Sequence, residues 1–147
     1  ALGTLLTIHQ PVYNLMNRWV GDDLLPHTGR LGIGVIAFCP LAQGLLTSRY
    51  LEGIPEDSRA ANPDGFLRRE SITPALQEKL RALNDLARER GQTLAQMALT
   101  WVLRDQRVTS ALIGASRVSQ IEENVAALAA APLSEEERQR IDQILGQ

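Results

Sequence analysis

Three apolar, β-branched runs alternate with amphipathic stretches, and each run stops at a residue that cannot extend it. "TLLTIHQ" (4–10) meets Pro11, "GVIAFCP" (34–40) ends on Pro40, and "VTSALIG" (108–114) ends on Gly114. Near-continuous apolar strands separated by helices predict a parallel sheet. Parallel neighbours need crossover connections, and those lay helices over the sheet. "LLPHTGRLG" (24–32) predicts a short helix closed by Gly32. Thr73-Pro74 predicts a helix start, a cap residue followed by proline at the first helical position. Leu76, Leu80, Leu83, Leu86 and Ala87 form its apolar face, and Gly91 ends it. Thr93 caps the next helix, where Leu94, Met97, Ala98, Trp101 and Val102 recur at helical spacing. A helix follows the third strand to about Ala129, and Ser134 with Glu137 forms a capping box for a last one. Residues 41–73, with Gly44, Gly53, Pro55, Pro63 and Gly65, read as a long irregular stretch. Segments of that kind are functional or disordered.

Three parallel strands leave two open edges, so the expected fold is α/β and part of a larger sheet or barrel. The first strand has almost no lead, from which the expectation is that the chain begins inside that larger fold. With 147 residues, 44% of them hydrophobic, there is enough apolar material for one core. A net charge of −2 argues against a broad nucleic-acid face. No apolar run approaches the roughly 18 residues of a membrane span. The first ten residues lack the basic region and cleavage site of a signal peptide. Cys39 is the only cysteine, which fits a reducing compartment and leads to the expectation of a cytoplasmic protein. His9 and His27 lack the carboxylate pattern of a metal site. Lys79 is the lone lysine against fourteen arginines, a bias that suits bidentate phosphate contacts and is equally a signature of genomic codon usage.

The junction "VTSALIGASRVSQIEENV" (108–125) carries the clearest site signal. Gly114, Ala115 and Ser116 keep the backbone accessible where a strand hands over to a helix. Ser116 caps that helix, or Ser119 caps it with Glu122 in a capping box. Either start leaves free amides that favour an anion by ~0.3–1 kcal/mol per charge, and Arg117 adds a fork of donors. The expectation is a phosphate cradle at the carboxyl end of a parallel strand. Gln120 and Asn124 share a helical face from which amides can reach a base. A plain strand-to-helix turn with a capping serine stays open on these residues alone.

"IGASRVSQIEEN" resembles the last barrel strand and helix of the aldo-keto reductases, most closely the branch of potassium-channel β-subunits and bacterial glyceraldehyde-3-phosphate reductases. "HQPVYNLMNR" (9–18) resembles that family's sixth strand and following loop. "AFCPLAQGLLTSRY" (37–50) is similar to its seventh strand and pyrophosphate loop, and "GIPEDSR" (53–59) to the segment over the cofactor. "AQMALTWVL" (95–103) resembles the helix before the eighth strand. The resemblance implies the C-terminal part, about strands 6–8 with their helices, of a (β/α)8 TIM barrel. Residues 1–147 would form its cofactor-binding side with no second domain.

It also implies NADP as cofactor, and roles for particular residues. Gln10 would hydrogen-bond the nicotinamide carboxamide, and Phe38 would stack on its ring. Cys39, Pro40, Leu41, Ala42, Gln43 and Gly44 would wrap the pyrophosphate. Cys39 stands where the family usually has serine or threonine, Arg49 where it has a phosphate-clamping lysine, and Ser48 where it has glycine. Arg59 would lie over the cofactor. Gly114, Ser116 and Arg117 would meet the 2′-phosphate, and Gln120, Glu123 and Asn124 the adenine. Tyr13, Asn14 and Arg18 match the pattern as structural residues.

The family's catalytic tyrosine, lysine, aspartate and histidine belong to the first half of the barrel, and their motifs do not occur here. Lys79 reads as a solvated helix residue. The implied partners are NADPH, a small carbonyl substrate, and a missing N-terminal half-barrel or a second copy of the chain. A membrane partner is implied only in the channel-associated case. The alternatives are a channel-type binding module and a non-catalytic, self-associating half-barrel.

Overall fold

The computed structural model describes residues 5–146. Strands β1 (Ile8–His9), β2 (Gly34–Phe38) and β3 (Val108–Leu112) form one open parallel sheet in the order β1-β2-β3. Ile8 pairs with Gly34, and Phe38 with Leu112, with a register irregularity between Val35 and Ile36. The flanking helices are α1 (Leu24–Leu31), α2 (Pro74–Glu89), α3 (Leu94–Leu103), α4 (Val118–Ala126) and α5 (Glu135–Leu145). This is an α/β fold with a small unclosed sheet, part of a (β/α)8-like barrel rather than a whole one.

The strands are shorter than their apolar runs. The expected strand over 4–10 reduces to Ile8–His9, with Thr4 outside the described residues. It is also exposed where burial was expected: Leu5, Leu6 and Ile8 face solvent. Among the described residues β1 pairs only with β2, so nothing covers its other side. β2 stops at Phe38 because Cys39 turns to φ +54, which no extended strand adopts. β3 stops at Leu112, the partner of Phe38, because the ladder ends there.

Helices α2, α3 and α5 start, and α1 and α2 stop, where their punctuation predicts. The Thr73 hydroxyl accepts from the Leu76 amide at 3.2 Å, with Pro74 at the first helical position. Thr93 and Ser134 each form a capping box, with Gln96 and Glu137. Gly32 and Gly91 turn out of α1 and α2 with φ of +68° and +69°. α2 buries Leu80, Leu83, Leu86 and Ala87, and α3 buries seven of its ten residues, including Trp101. Two guanidinium groups lie over the Trp101 ring, that of Arg18 4.6 Å from its centroid and that of Arg104 3.6 Å away. Arg18 also bonds Asp142 at 2.5 Å, which ties the segment after β1 to α5. Lys79 is half-buried rather than free in solvent: its ammonium donates to the Leu145 carbonyl at 2.8 Å, because α2 packs against the end of α5.

The long stretch between β2 and α2 is ordered, not a free loop. It contains four single 3₁₀ turns: Ala42–Gly44, Ser48–Tyr50, Arg59–Ala61 and Arg69–Ser71. Leu46 and Tyr50 are fully buried in the common core. Gln77 donates to the Tyr50 carbonyl at 3.0 Å and Arg81 to that of Leu51 at 2.9 Å, which pins the segment to α2.

Candidate functional site

Parallel strands bring their carboxyl ends to one end of a sheet, the end where such folds leave groups free for ligands. Gln10 follows β1, Phe38 to Gly44 close and follow β2, and Gly114 to Arg117 follow β3. The Phe38 amide donates to the Pro11 carbonyl at 2.8 Å, and its carbonyl accepts from the Tyr13 amide at 3.1 Å. The chain after β1 thereby prolongs the ladder and carries Gln10, which is exposed, beside it. Phe38 is 46% exposed, as is its register partner Leu112. The open Phe38 ring is a surface suited to stacking.

Beyond Phe38 the backbone folds tightly. The Cys39 carbonyl accepts from the Ala42 amide at 3.0 Å, and Leu41 has φ −99° and ψ 17°, as at the third position of a type I turn. Cys39, Ala42 and Gln43 then have φ of 54°, 47° and 59°. Each left-handed residue bearing a Cβ costs on the order of 1 kcal/mol. The amides of Gly44 and Leu46 turn back to the Leu41 carbonyl, so the turn is held from within. Pro40 is buried, while Cys39, Leu41, Ala42, Gln43 and Gly44 are half-buried.

Two of the expected cations differ in circumstance. The Arg49 guanidinium bonds both the carbonyl and the carboxylate of Asp57, each at 2.9 Å. A phosphate there competes with an exposed carboxylate, a pairing that the resemblance did not reveal although Asp57 lies in the same "GIPEDSR" segment. Arg59 has no carboxylate partner among the described residues. Its Nη2 lies 3.9 Å from where a Cβ on Gly114 would stand. The segment carrying Arg59 thus folds back onto the carboxyl end of β3. Gly65 permits the bend: a Cβ there would lie 2.9 Å from the Arg59 carbonyl oxygen.

The start of α4 differs from either expected cap. The helix begins at Val118, and neither Ser116 nor the Ser119–Glu122 pair caps it. The Gln120 side-chain oxygen accepts from the amides of Ser116 at 2.8 Å and Arg117 at 3.2 Å, and from the Ser116 hydroxyl at 3.3 Å. A glutamine reaches back to two successive amides, whereas Ser119 already lies inside the helix. Both amides are therefore already paired within the chain, and an anion reaches them only by displacing the Gln120 oxygen. Arg117 is exposed beside it. The base-facing set is only partly presented. Asn124 is 7% exposed, and the Glu123 carbonyl is taken by the Gln96 side chain at 3.0 Å.

Among the described residues, no group of three or more His, Cys, Asp or Glu side chains is arranged to hold a metal ion. None of the described helices is long and apolar enough to cross a membrane. The open Phe38 ring and the exposed Arg117 lie at the carboxyl end of the sheet, and Arg59 reaches Gly114 there.

An open parallel sheet with flanking helices is the arrangement of part of a (β/α)8-like barrel. Residues 3–146 match the model of the Aldo/keto reductase family, and the chain belongs to that family. It is 54% identical over 142 residues to the L-glyceraldehyde 3-phosphate reductase of Escherichia coli K12, covering 94% of this chain and 41% of that protein. It is 40% identical over 130 residues to a probable voltage-gated potassium channel subunit beta of Arabidopsis thaliana, covering 86% of this chain and 39% of that one. A glycerol dehydrogenase structure from Gluconobacter oxydans superposes with a TM-score of 0.75 at 27% identity, covering 95% of this chain and 42% of that one. A Klebsiella pneumoniae aldo-keto reductase in complex with NADPH superposes with a TM-score of 0.64 at 28% identity, covering 95% and 39%. The chain spans about two fifths of the length of the relatives it matches.

Proposed function

We propose that residues 1–147 are the cofactor-binding, C-terminal side of an NADP(H)-dependent aldo-keto reductase barrel that reduces an aldehyde or ketone. The observation that carries this reading is the gathering of Gln10, Phe38, the 39–44 turn and the Gly114–Arg117 segment at one end of the sheet, with Arg59 folded against Gly114. Bound NADPH would supply a hydride for the carbonyl carbon. Phe38 offers the ring face for the nicotinamide, and the Gln10 amide offers a donor and an acceptor for its carboxamide. The 39–44 turn and Arg49 flank the pyrophosphate. Arg59, Ser116 and Arg117 meet the adenosine 2′-phosphate, while Gln120, Glu123 and Asn124 border the adenine. The group that protonates the carbonyl oxygen comes from outside these residues. The substrate class is a small carbonyl compound such as glyceraldehyde 3-phosphate, the compound in the Escherichia coli relative's name, or a methylglyoxal-like one.

Fluorescence titration with NADPH, with NADH as comparator, tests the proposal. Saturable binding that prefers NADPH and weakens in Arg117→Ala supports it. No binding by a folded chain refutes a preformed site.

A second reading, self-association, draws on the exposed Val118, Ile121, Val125 and Leu128 of the α4 region and on Leu5, Leu6 and Ile8 beside β1. Sedimentation at micromolar concentration checks it, and a well-folded monomer removes it.

A further inference from the structure

The Cys39 carbonyl is the junction between β2 and the turn that follows, and a side chain from a different segment holds it. Asn14 is 3% exposed, and its Nδ2 donates to the Cys39 carbonyl at 2.9 Å. Its Oδ1 accepts from the amides of Met16 at 3.0 Å and Asn17 at 2.9 Å. Backbone bonds in both directions between Asn14 and Asn17 fix the turn from which the side chain projects. The Cys39 oxygen also accepts from the Ala42 amide at 3.0 Å, so both of its lone pairs are engaged.

This restraint sits where the backbone needs one. Cys39, Ala42 and Gln43 all have positive φ without being glycine. Residues with a Cβ hold that conformation only where their surroundings over-determine it. The Phe38 amide and carbonyl are already fixed to Pro11 and Tyr13, so the Asn14 amide completes a row of contacts along residues 38 and 39.

We propose that Asn14 is a positioning residue for the nicotinamide end of the site. By holding the Cys39 carbonyl, it sets the direction in which the Phe38 ring and the 40–44 turn face the cofactor. This rests on the proposed roles of Phe38 and that turn. Asn14 itself is buried and acts through Cys39.

Asn14→Asp keeps the side chain's size and the oxygen facing Met16 and Asn17, but sets a second oxygen against the Cys39 carbonyl. At pH 8 the variant binds NADPH about tenfold more weakly, the scale of one lost buried hydrogen bond. It binds 2′,5′-ADP, which has no nicotinamide, as the parent does. In a Cys39→Gly background, where positive φ carries no Cβ penalty, the same substitution costs less affinity. Leu83→Ala in α2, remote from the turn and destabilising, changes neither ligand's affinity selectively.

A second readout needs no ligand. Cys39 is the only thiol, and its modification rate by an aromatic disulfide rises in Asn14→Asp and not in Leu83→Ala. Should Asn14→Asp not fold, Asn14→Ser takes its place in both assays. An unchanged NADPH to 2′,5′-ADP affinity ratio together with an unchanged thiol rate overturns the proposal. If the parent binds neither ligand, the cofactor reading fails, and the thiol rate alone decides whether Asn14 governs Cys39.

Discussion

Replacing Arg90 with methionine removes five donors and keeps the aliphatic stem, and the structure sets the size of the loss. Arg90 follows α2, with its side chain 8% exposed. Its Nε donates to the Gln92 side chain at 2.8 Å, its Nη2 to the Ala131 carbonyl at 2.7 Å, and its Nη1 to the Glu137 carboxylate. Two neutral acceptors lose a partner at about 1 kcal/mol each. The bond to Glu137 lies at the lower end of the roughly 1.5–3 kcal/mol for charged partners. That carboxylate is 23% exposed and keeps the Ser134 amide at 2.7 Å. Together the loss is about 3.5 kcal/mol, which at a urea slope of about 2 kcal/mol/M lowers the unfolding midpoint by about 1.75 M. A double-mutant cycle with Glu137→Gln isolates the pair, with an expected coupling of about 1–2 kcal/mol.

The same pair has a pH signature. Burial pushes the Glu137 pKa up, but the Ser134 amide and the Arg90 guanidinium outweigh it and hold it below the usual glutamate value. A lowered carboxylate pKa gives stability that is complete above the ordinary glutamate range and is lost as the pH falls through the lowered value. The coupling therefore fades on acidification, and the acid limb flattens in Arg90→Met. A midpoint shift below about 0.3 M, or a coupling indifferent to acid, would refute this account of how α5 is anchored.

Three further outcomes are expected. Gln120→Ala removes the acceptor shared by the Ser116 and Arg117 amides and costs about 1 kcal/mol in denaturant unfolding, with faster hydrogen exchange at those two amides. Asp57→Asn weakens the hold on Arg49 and tightens NADPH binding by up to about fivefold, the scale of an exposed ion pair, in the same fluorescence titration. Gly65→Ala sets a Cβ 2.9 Å from the Arg59 carbonyl oxygen, so the bend shifts, and protease cleavage within 53–70 accelerates while the α2 core stays protected.

The helices were legible because their signals are local. Thr73, Thr93 and Ser134 act on amides three residues away, so the sequence window contains the whole interaction. The strands were legible in place but not in length, since the end of a ladder depends on its partner: β3 ends where Phe38 ends. The expected burial of β1 failed for the same reason, because exposure depends on what lies beyond the edge. The α4 cap was misread because serine is the commoner solution and glutamine reaching back is visible only in three dimensions. Lys79 looked solvated because its acceptor, the Leu145 carbonyl, lies 66 positions away.

By itself the sequence determined the alternation of strand and helix, the starts of α2, α3 and α5, and, through family-like stretches, which residues to watch. Tertiary structure alone decided that Arg49 is engaged by Asp57 while Arg59 reaches Gly114. It also brought the Asn14 amide to the Cys39 carbonyl across 25 positions. Propensity and capping are short-range and written into neighbouring residues. A side chain's partner across the fold depends on where the packed core sets two distant backbones.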